Sequence, residues 1–184
     1  MFQGLKVFSL GLNKCNLQER DSHDFIFSGA RRLLVKDSFI KFWIQERHAI
    51  IAEEIVIKGS TIVWGKISEC IFPKCKRFVC TQSFVNSVDM CFKPFSDQLN
   101  EMVILNNDFY GTIQFNLVFH VVYFRERFKN LERLDFEGQI EEKCLLTLLQ
   151  DMDHYPRFKS IKLKSKGAFF NTKILVGDPK LQEL

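Results

Sequence analysis

The sequence predicts a mainly β protein with added helices, its core a small five-stranded barrel. Three observations carry that expectation. Residues 62–95 divide into successive alternating runs, Ile62 to Ser68, Lys76 to Phe84 and Val88 to Lys93, separated by polar connections. Gly65 lies inside the first run, where a residue without Cβ permits a sharp bend or bulge. Thr112 to Phe124 alternates longest of all, with Ile113, Phe115, Leu117, Phe119 and Val121 on one side and Gln114, Asn116 and His120 on the other.

A bent first strand feeding a two-strand meander is how an OB-like five-stranded β-barrel begins. The other elements are placed around it. Residues 1–15 form an alternating segment broken by Gly4 and Gly11, an edge strand or an ordered arm. Phe39, Ile40, Trp43, Ile44, Ile50 and Ile51 recur at helical spacing behind Ser38 as N-cap, which predicts a helix over 39–53; strand is the competing reading. Ile55 to Ile57 starts a strand that Lys58-Gly59-Ser60 turns. Ser96 opens a short helix whose apolar side is Met102, Ile104 and Leu105, and Asn106-Asn107-Asp108 turns the chain. Ile140, Cys144, Leu145, Leu148 and Leu149 make 137–152 an amphipathic helix. Phe158 to Leu163 is the fifth strand, and Thr172 to Val176 a tail strand. The resulting division is an N-terminal arm and helix over 1–54 that packs on the barrel or a partner, the barrel with its two helices over 55–176, and a tail over 177–184. Neither an internal repeat nor a low-complexity linker is read along the chain.

Composition sets the class. With 184 residues, 46% hydrophobic and 26% charged, the chain can bury a core. Its 20 phenylalanines fill a core first; the remainder are stacking platforms or docking anchors. A net charge of +4 permits a polyanion partner without requiring one. The cysteines lack the close pairing of a secreted staple, and no signal-peptide pattern opens the chain, so a reducing intracellular compartment is expected. No apolar run approaches the length of a membrane span.

Within the central stretch, Val63-Trp64-Gly65-Lys66-Ile67, Arg77-Phe78-Val79-Cys80-Thr81 and Val88-Asp89-Met90-Cys91-Phe92 resemble the first three strands of OB-fold subunits of the replication protein A and telomere-capping type. The second connection, Phe84-Val85-Asn86-Ser87, departs from the small acidic turn common there. The resemblance covers about 30 residues and implies a non-catalytic subunit of a nuclear complex that binds single-stranded nucleic acid in replication or chromosome-end protection. Nuclear localisation follows from it, with the cytoplasm as the alternative.

Single-strand sites combine aromatic platforms with cations that track phosphates. Trp64 and Lys66 share one face of the first strand, Lys76 and Arg77 enter the second, and Lys162 and Lys164 lie in a run free of acids. These six are the expected nucleic-acid contacts, against the alternative that Trp64 is core and the lysines are ordinary solvated strand residues. Cys70, Cys75 and Cys80 are each separated by four residues, at the edge of the close-pair spacing of structural zinc, and Cys80 and Cys91 fall within expected strands, so buried free thiols are the better reading. No phosphate loop, dinucleotide fingerprint or nucleophile elbow is present, and the histidines have no ligand partner one helical turn away. No enzyme activity, cofactor, metal, membrane or small-molecule substrate is expected. Other protein subunits are, because two helices exceed what a minimal barrel needs. The runner-up function is a protein–protein scaffold on the same barrel without nucleic-acid contact.

Overall fold

Strand formation is periodic on a scale longer than any one strand. The computed structural model describes residues 8–17, 30–42, 50–64, 72–86, 95–109, 129–138, 157–165 and 171–175. Each of the first five stretches repeats one plan: a strand, a corner residue in the left-handed region, a small buried or half-buried residue, and a short second strand. The first strands are β1 (Ser9–Asn13), β3 (Arg32–Lys36), β5 (Glu54–Lys58), β7 (Arg77–Thr81) and β9 (Glu101–Leu105). Their partners past the corner are β2 (Asn16–Leu17), β4 (Phe39–Phe42), β6 (Thr61–Trp64), β8 (Phe84–Val85) and β10 (Asp108–Phe109). β11 (Arg133–Gly138), β12 (Ser160–Ser165) and β13 (Asn171–Leu175) follow.

Like strands of successive coils pair in parallel. Sheet A runs β1-β3-β5-β7-β9-β11-β12-β13, and sheet B runs β2-β4-β6-β8-β10. Among the described strands only β13 is antiparallel to its neighbour. This is a parallel β-solenoid, in which each coil packs on the next.

The five-stranded OB-like barrel is therefore corrected, and with it the resemblance to replication protein A and telomere-capping subunits. A meander needs neighbouring strands that run antiparallel; here consecutive strands of the chain lie in different sheets, and each pairs with a strand one coil away. The predicted run 76–84 is cut at Gln82, where the chain turns from β7 in sheet A to β8 in sheet B. Phe39 to Phe42 is β4 and Glu101 to Leu105 is β9, where helix was expected, because both stretches gain parallel partners on either side. Among the described residues there is no helix. Val88 to Lys93, Thr112 to Phe124 and nearly all of 137–152 lie outside the described residues.

The coils share apolar columns. Two residues before each strand come Ala30, Ala52, Cys75, Leu99, Leu131 and Phe158; the second strand position holds Leu33, Ile55, Phe78, Met102, Leu134 and Ile161; the fourth holds Val35, Ile57, Cys80, Ile104, Phe136 and Leu163. All are buried. Ile40, Ile62 and Val85, two residues past the small corner residue, complete the set. Leu99-x-x-Met102-x-Ile104-x-x-Asn107-x-Phe109 thus carries the spacing L-x-x-L-x-L-x-x-N-x-L of leucine-rich repeats. Phe95 ties two coils together, its ring 5.3 Å from that of Phe72 and 4.8 Å from that of Phe78.

The corner is held by a buried polar ladder. Ser60 Oγ accepts the Ser38 N–H at 3.1 Å, Ser83 Oγ accepts that of Ser60 at 3.1 Å, and Asn107 Oδ1 accepts that of Ser83 at 2.9 Å. Cys15 N–H begins the series on Ser38 Oγ at 3.0 Å. Each serine hydroxyl then donates to the carbonyl two residues earlier in its own coil, Ser60 to Lys58 at 2.9 Å for example. Lys14, Asp37, Gly59, Gln82 and Asn106, just before these residues, have φ between 49° and 59°. A side chain there costs about 1 kcal/mol. The N–H groups of Lys14, Asp37, Gly59 and Gln82 each donate to a carbonyl of the following coil. Asn106 donates instead to Glu137 Oε2 at 3.2 Å, a side chain doing what a main-chain carbonyl does in the earlier coils.

Removing one rung strands a buried donor. Ser60→Ala should cost about 1–3 kcal/mol in urea unfolding, because the Ser38 N–H loses its acceptor. Ser60→Asn should recover part of this, since Asn107 serves the same position. An alanine variant as stable as wild type would mean that the ladder contributes nothing.

Candidate interaction face

The strands of sheet A send their second and fourth side chains inward and their first, third and fifth outward. Parallel, in-register pairing then lines like positions into columns across the outer face. Three columns result, and each has its own chemistry.

The first column alternates in sign: Arg32, Glu54, Arg77, Glu101, Arg133. Arg32 Nε lies 2.6 Å from Glu54 Oε2, though not aligned as a hydrogen bond. Arg77 Nη1 bonds Glu54 Oε1, and its Nε bonds Glu101 Oε2 at 2.8 Å. Arg133 then meets Glu101 at 3.1 Å and Asp135 at 2.5 Å. Partial burial opposes the Arg77 charge, but the hydrogen bonds to Glu101 and Glu54 outweigh it and hold its pKa above the ordinary value. The Asp135 bond does the same for Arg133. One residue earlier a second, exposed row repeats the alternation. Glu53 sits between Arg31 at 3.0 Å and Lys76 at 3.3 Å, and Glu132 binds Lys159 at 2.6 Å.

The third-position column is apolar over four coils. Leu34, Val56, Val79 and Val103 are direct partners in register, the first three half-buried and Val103 buried. Gly11 precedes them on β1 and Asp135 ends the row on β11. The fifth-position column holds Asn13, Lys36, Lys58, Thr81 and Leu105, then Glu137 and Lys164, which pair at 3.2 Å.

These positions redistribute the expected nucleic-acid contacts. Lys76 and Arg77 lie on the outer face of sheet A, each engaged by carboxylates. Lys162 and Lys164 lie on β12, with β9 and β11 between them and Arg77. Lys162 is exposed and Lys164 is held by Glu137. Trp64 belongs to β6 in the other sheet, and Lys66 lies outside the described residues. Phe72 and Phe78, the aromatics nearest the basic run, are fully buried and present no ring for a base to stack on. Cys75 and Cys80 are buried free thiols, and burial pushes the Cys80 pKa up to about 12. Among the described residues no group of His, Cys, Asp and Glu is placed to hold a metal.

What the sequence reasoning missed was the outer face itself. Its signal was present in the charge doublets Arg31-Arg32, Glu53-Glu54 and Lys76-Arg77, which alternate in sign from coil to coil.

Fold and face together define a parallel β-solenoid that presents a three-column outer surface. No family model, curated protein or solved structure matches the chain.

Two outcomes follow from the ion pairs. Arg77→Glu puts a third carboxylate between Glu54 and Glu101, and should cost about 1 kcal/mol at low salt, less at high salt because these groups are partly exposed. Equal stability at both ionic strengths would contradict the pairing. Hydrogen bonds from Arg31 and Lys76 hold the Glu53 carboxyl below its ordinary 4.5, and the bond from Lys129 holds Asp97 below its ordinary 3.8. Because these folded-state values are depressed, the stabilisation is complete above the ordinary values and is lost as pH falls through the folded ones. The thermal midpoint should therefore drop on acidification through this range, less steeply in Glu53→Gln with Asp97→Asn. Superimposable wild-type and variant profiles would count against it.

Proposed function

We propose that the protein is a non-catalytic binding scaffold, a leucine-rich-repeat-type subunit of a protein complex that seats a protein partner on the outer face of sheet A. The in-register apolar row Leu34–Val56–Val79–Val103 carries this reading. Rows of aliphatic side chains flanked by polar columns reproduce the apolar centre and polar rim of a protein interface. Solenoids commonly use such continuous faces for binding. The first column supports the same reading from the charge side, since its guanidinium groups are already matched by carboxylates within the face.

That internal matching weighs against the expected single-stranded nucleic acid. Phosphate binding draws on cations that release counterions, and Arg77, Lys76 and Lys164 already have carboxylate partners. Of the expected contacts whose side chains are described, Lys162 is exposed and has no carboxylate partner among the described residues, and a nucleic-acid reading draws on it.

A photo-crosslinking amino acid at Val79 should capture a discrete protein in the native cell, and one at exposed Phe84 on β8 should not. The purified partner should then bind wild type and lose affinity at least tenfold to a folded Val79→Lys variant. Equal capture at both positions, or unchanged affinity in Val79→Lys, would remove the assignment. Fluorescence anisotropy with a labelled single-stranded oligonucleotide tests the other reading. Saturable, salt-sensitive binding lost in Lys162→Ala would replace the protein scaffold with a nucleic-acid subunit.

A further inference from the structure

We propose that the segment docked on this face is an acidic amphipathic helix lying across the strands, its apolar side on half-buried Leu34, Val56 and Val79 and running on over buried Val103, its carboxylates over Lys36 and Lys58. This rests on the scaffold reading and adds the chemistry of the partner.

Spacing argues for a helix. Adjacent strands lie about 4.8 Å apart, so the row offers one aliphatic side chain every 4.8 Å or so. A helix repeats its apolar face about every 5.4 Å, near one contact per coil. An extended segment crossing the same strands brings same-side residues round only every ~6.7 Å and falls out of step. The four-coil row spans about 14 Å, the length of a helix of about 10 residues. Width agrees as well. The outer columns of a five-residue strand stand about 13 Å apart, close to the 10–12 Å diameter of a helix.

Charge argues for acid. On one rim the arginines and glutamates alternate and satisfy one another. On the other rim the column over the apolar row holds Lys36 and Lys58 and no carboxylate. Both lysines are exposed; among the described residues Lys36 is paired with Asp37 at 3.9 Å, and the neighbouring corner adds exposed Lys14. The unmatched charge beside the row is positive, and complementarity calls for carboxylates on that flank of the ligand. At the far end Asp135, bonded to Arg133, closes the row against further apolar contact.

Three synthetic peptides of about 14 residues test this by fluorescence anisotropy: a leucine-faced helix with glutamates on one flank, its twin with lysines in their place, and the glutamate peptide with a central proline. The glutamate peptide should bind saturably, the lysine twin about tenfold more weakly, and the proline peptide not measurably. A variant carrying Lys36→Glu and Lys58→Glu, shown folded by circular dichroism, should invert the preference. Val79→Lys should abolish it. Equal affinity for the glutamate and lysine peptides, or undiminished binding of the proline peptide, would overturn the acidic helix. If Val79→Lys still removed that binding, the scaffold reading would stand without it. Failure of all three peptides would likewise overturn this inference, and crosslinking at Val79 decides the scaffold separately.

Discussion

A backbone N–H at the corner of each coil turns away from its own coil, and burial denies it water. In this protein a side chain of the next coil receives it: Ser38 for Cys15, Ser60 for Ser38, Ser83 for Ser60, Asn107 for Ser83. The arrangement constrains everything nearby. The acceptor must be small enough for the interior and polar enough for the bond, and its coil must arrive in register or a buried donor is orphaned. Register then fixes which strand positions face inward, and so fixes the columns on the outer face. The left-handed corner residues and the parallel pairing accompany the satisfied donor in each of the first four coils, and the apolar row shares their register.

The sequence made the strands legible and their assembly illegible. Ile55 to Ile57, the run from Lys76 and the stretch from Phe158 alternate plainly, and all three hold strands in sheet A. Their grouping into a barrel failed because alternation reports which face is buried and says nothing about which strand pairs with which. The repeat was masked at the level of residue identity. The first apolar column reads Ala30, Ala52, Cys75, Leu99, and the ladder is serine three times before it is asparagine. Spacing blurred it further: rungs fall 23, 22, 23 and 24 residues apart, then Glu101 and Arg133 are separated by 32. Phe39 and Ile40 suggested a helix because short β4 supplies too few residues to show its own period. Of the candidate site, Arg77 and Lys76 were visible as cations. Their neutralisation was not, because Glu54, Glu53 and Glu101 come within reach only through the stacking.

Electrostatics and stacking therefore act together on the outer face. Parallel in-register coils force like columns into contact, so a column of one sign would repel itself at about 4.8 Å spacing. Alternation removes that penalty along the first column, where Glu54, Arg77 and Glu101 each have an opposite charge on either side. The fifth column leaves two like charges as direct partners, Lys36 and Lys58, and confines them to that pair with Asn13 on one side and Thr81 on the other. One rim of the apolar row is thus closed electrostatically and the other left open.

The antiparallel pairing of β13 with β12 has a bearing on biosynthesis. A ribosome delivers the coils in chain order, and each parallel strand can join one already made, one coil earlier in the chain. Until β13 emerges, the newest edge of sheet A is always a parallel strand with open donors and acceptors, ready to accept whatever strand comes next. β13 reverses direction and pairs with the strand made just before it, so the parallel order of the described strands ends at β12. β13 follows β12 sooner in the chain than any other described strand of sheet A follows its neighbour, so the β12 edge is the one left open most briefly.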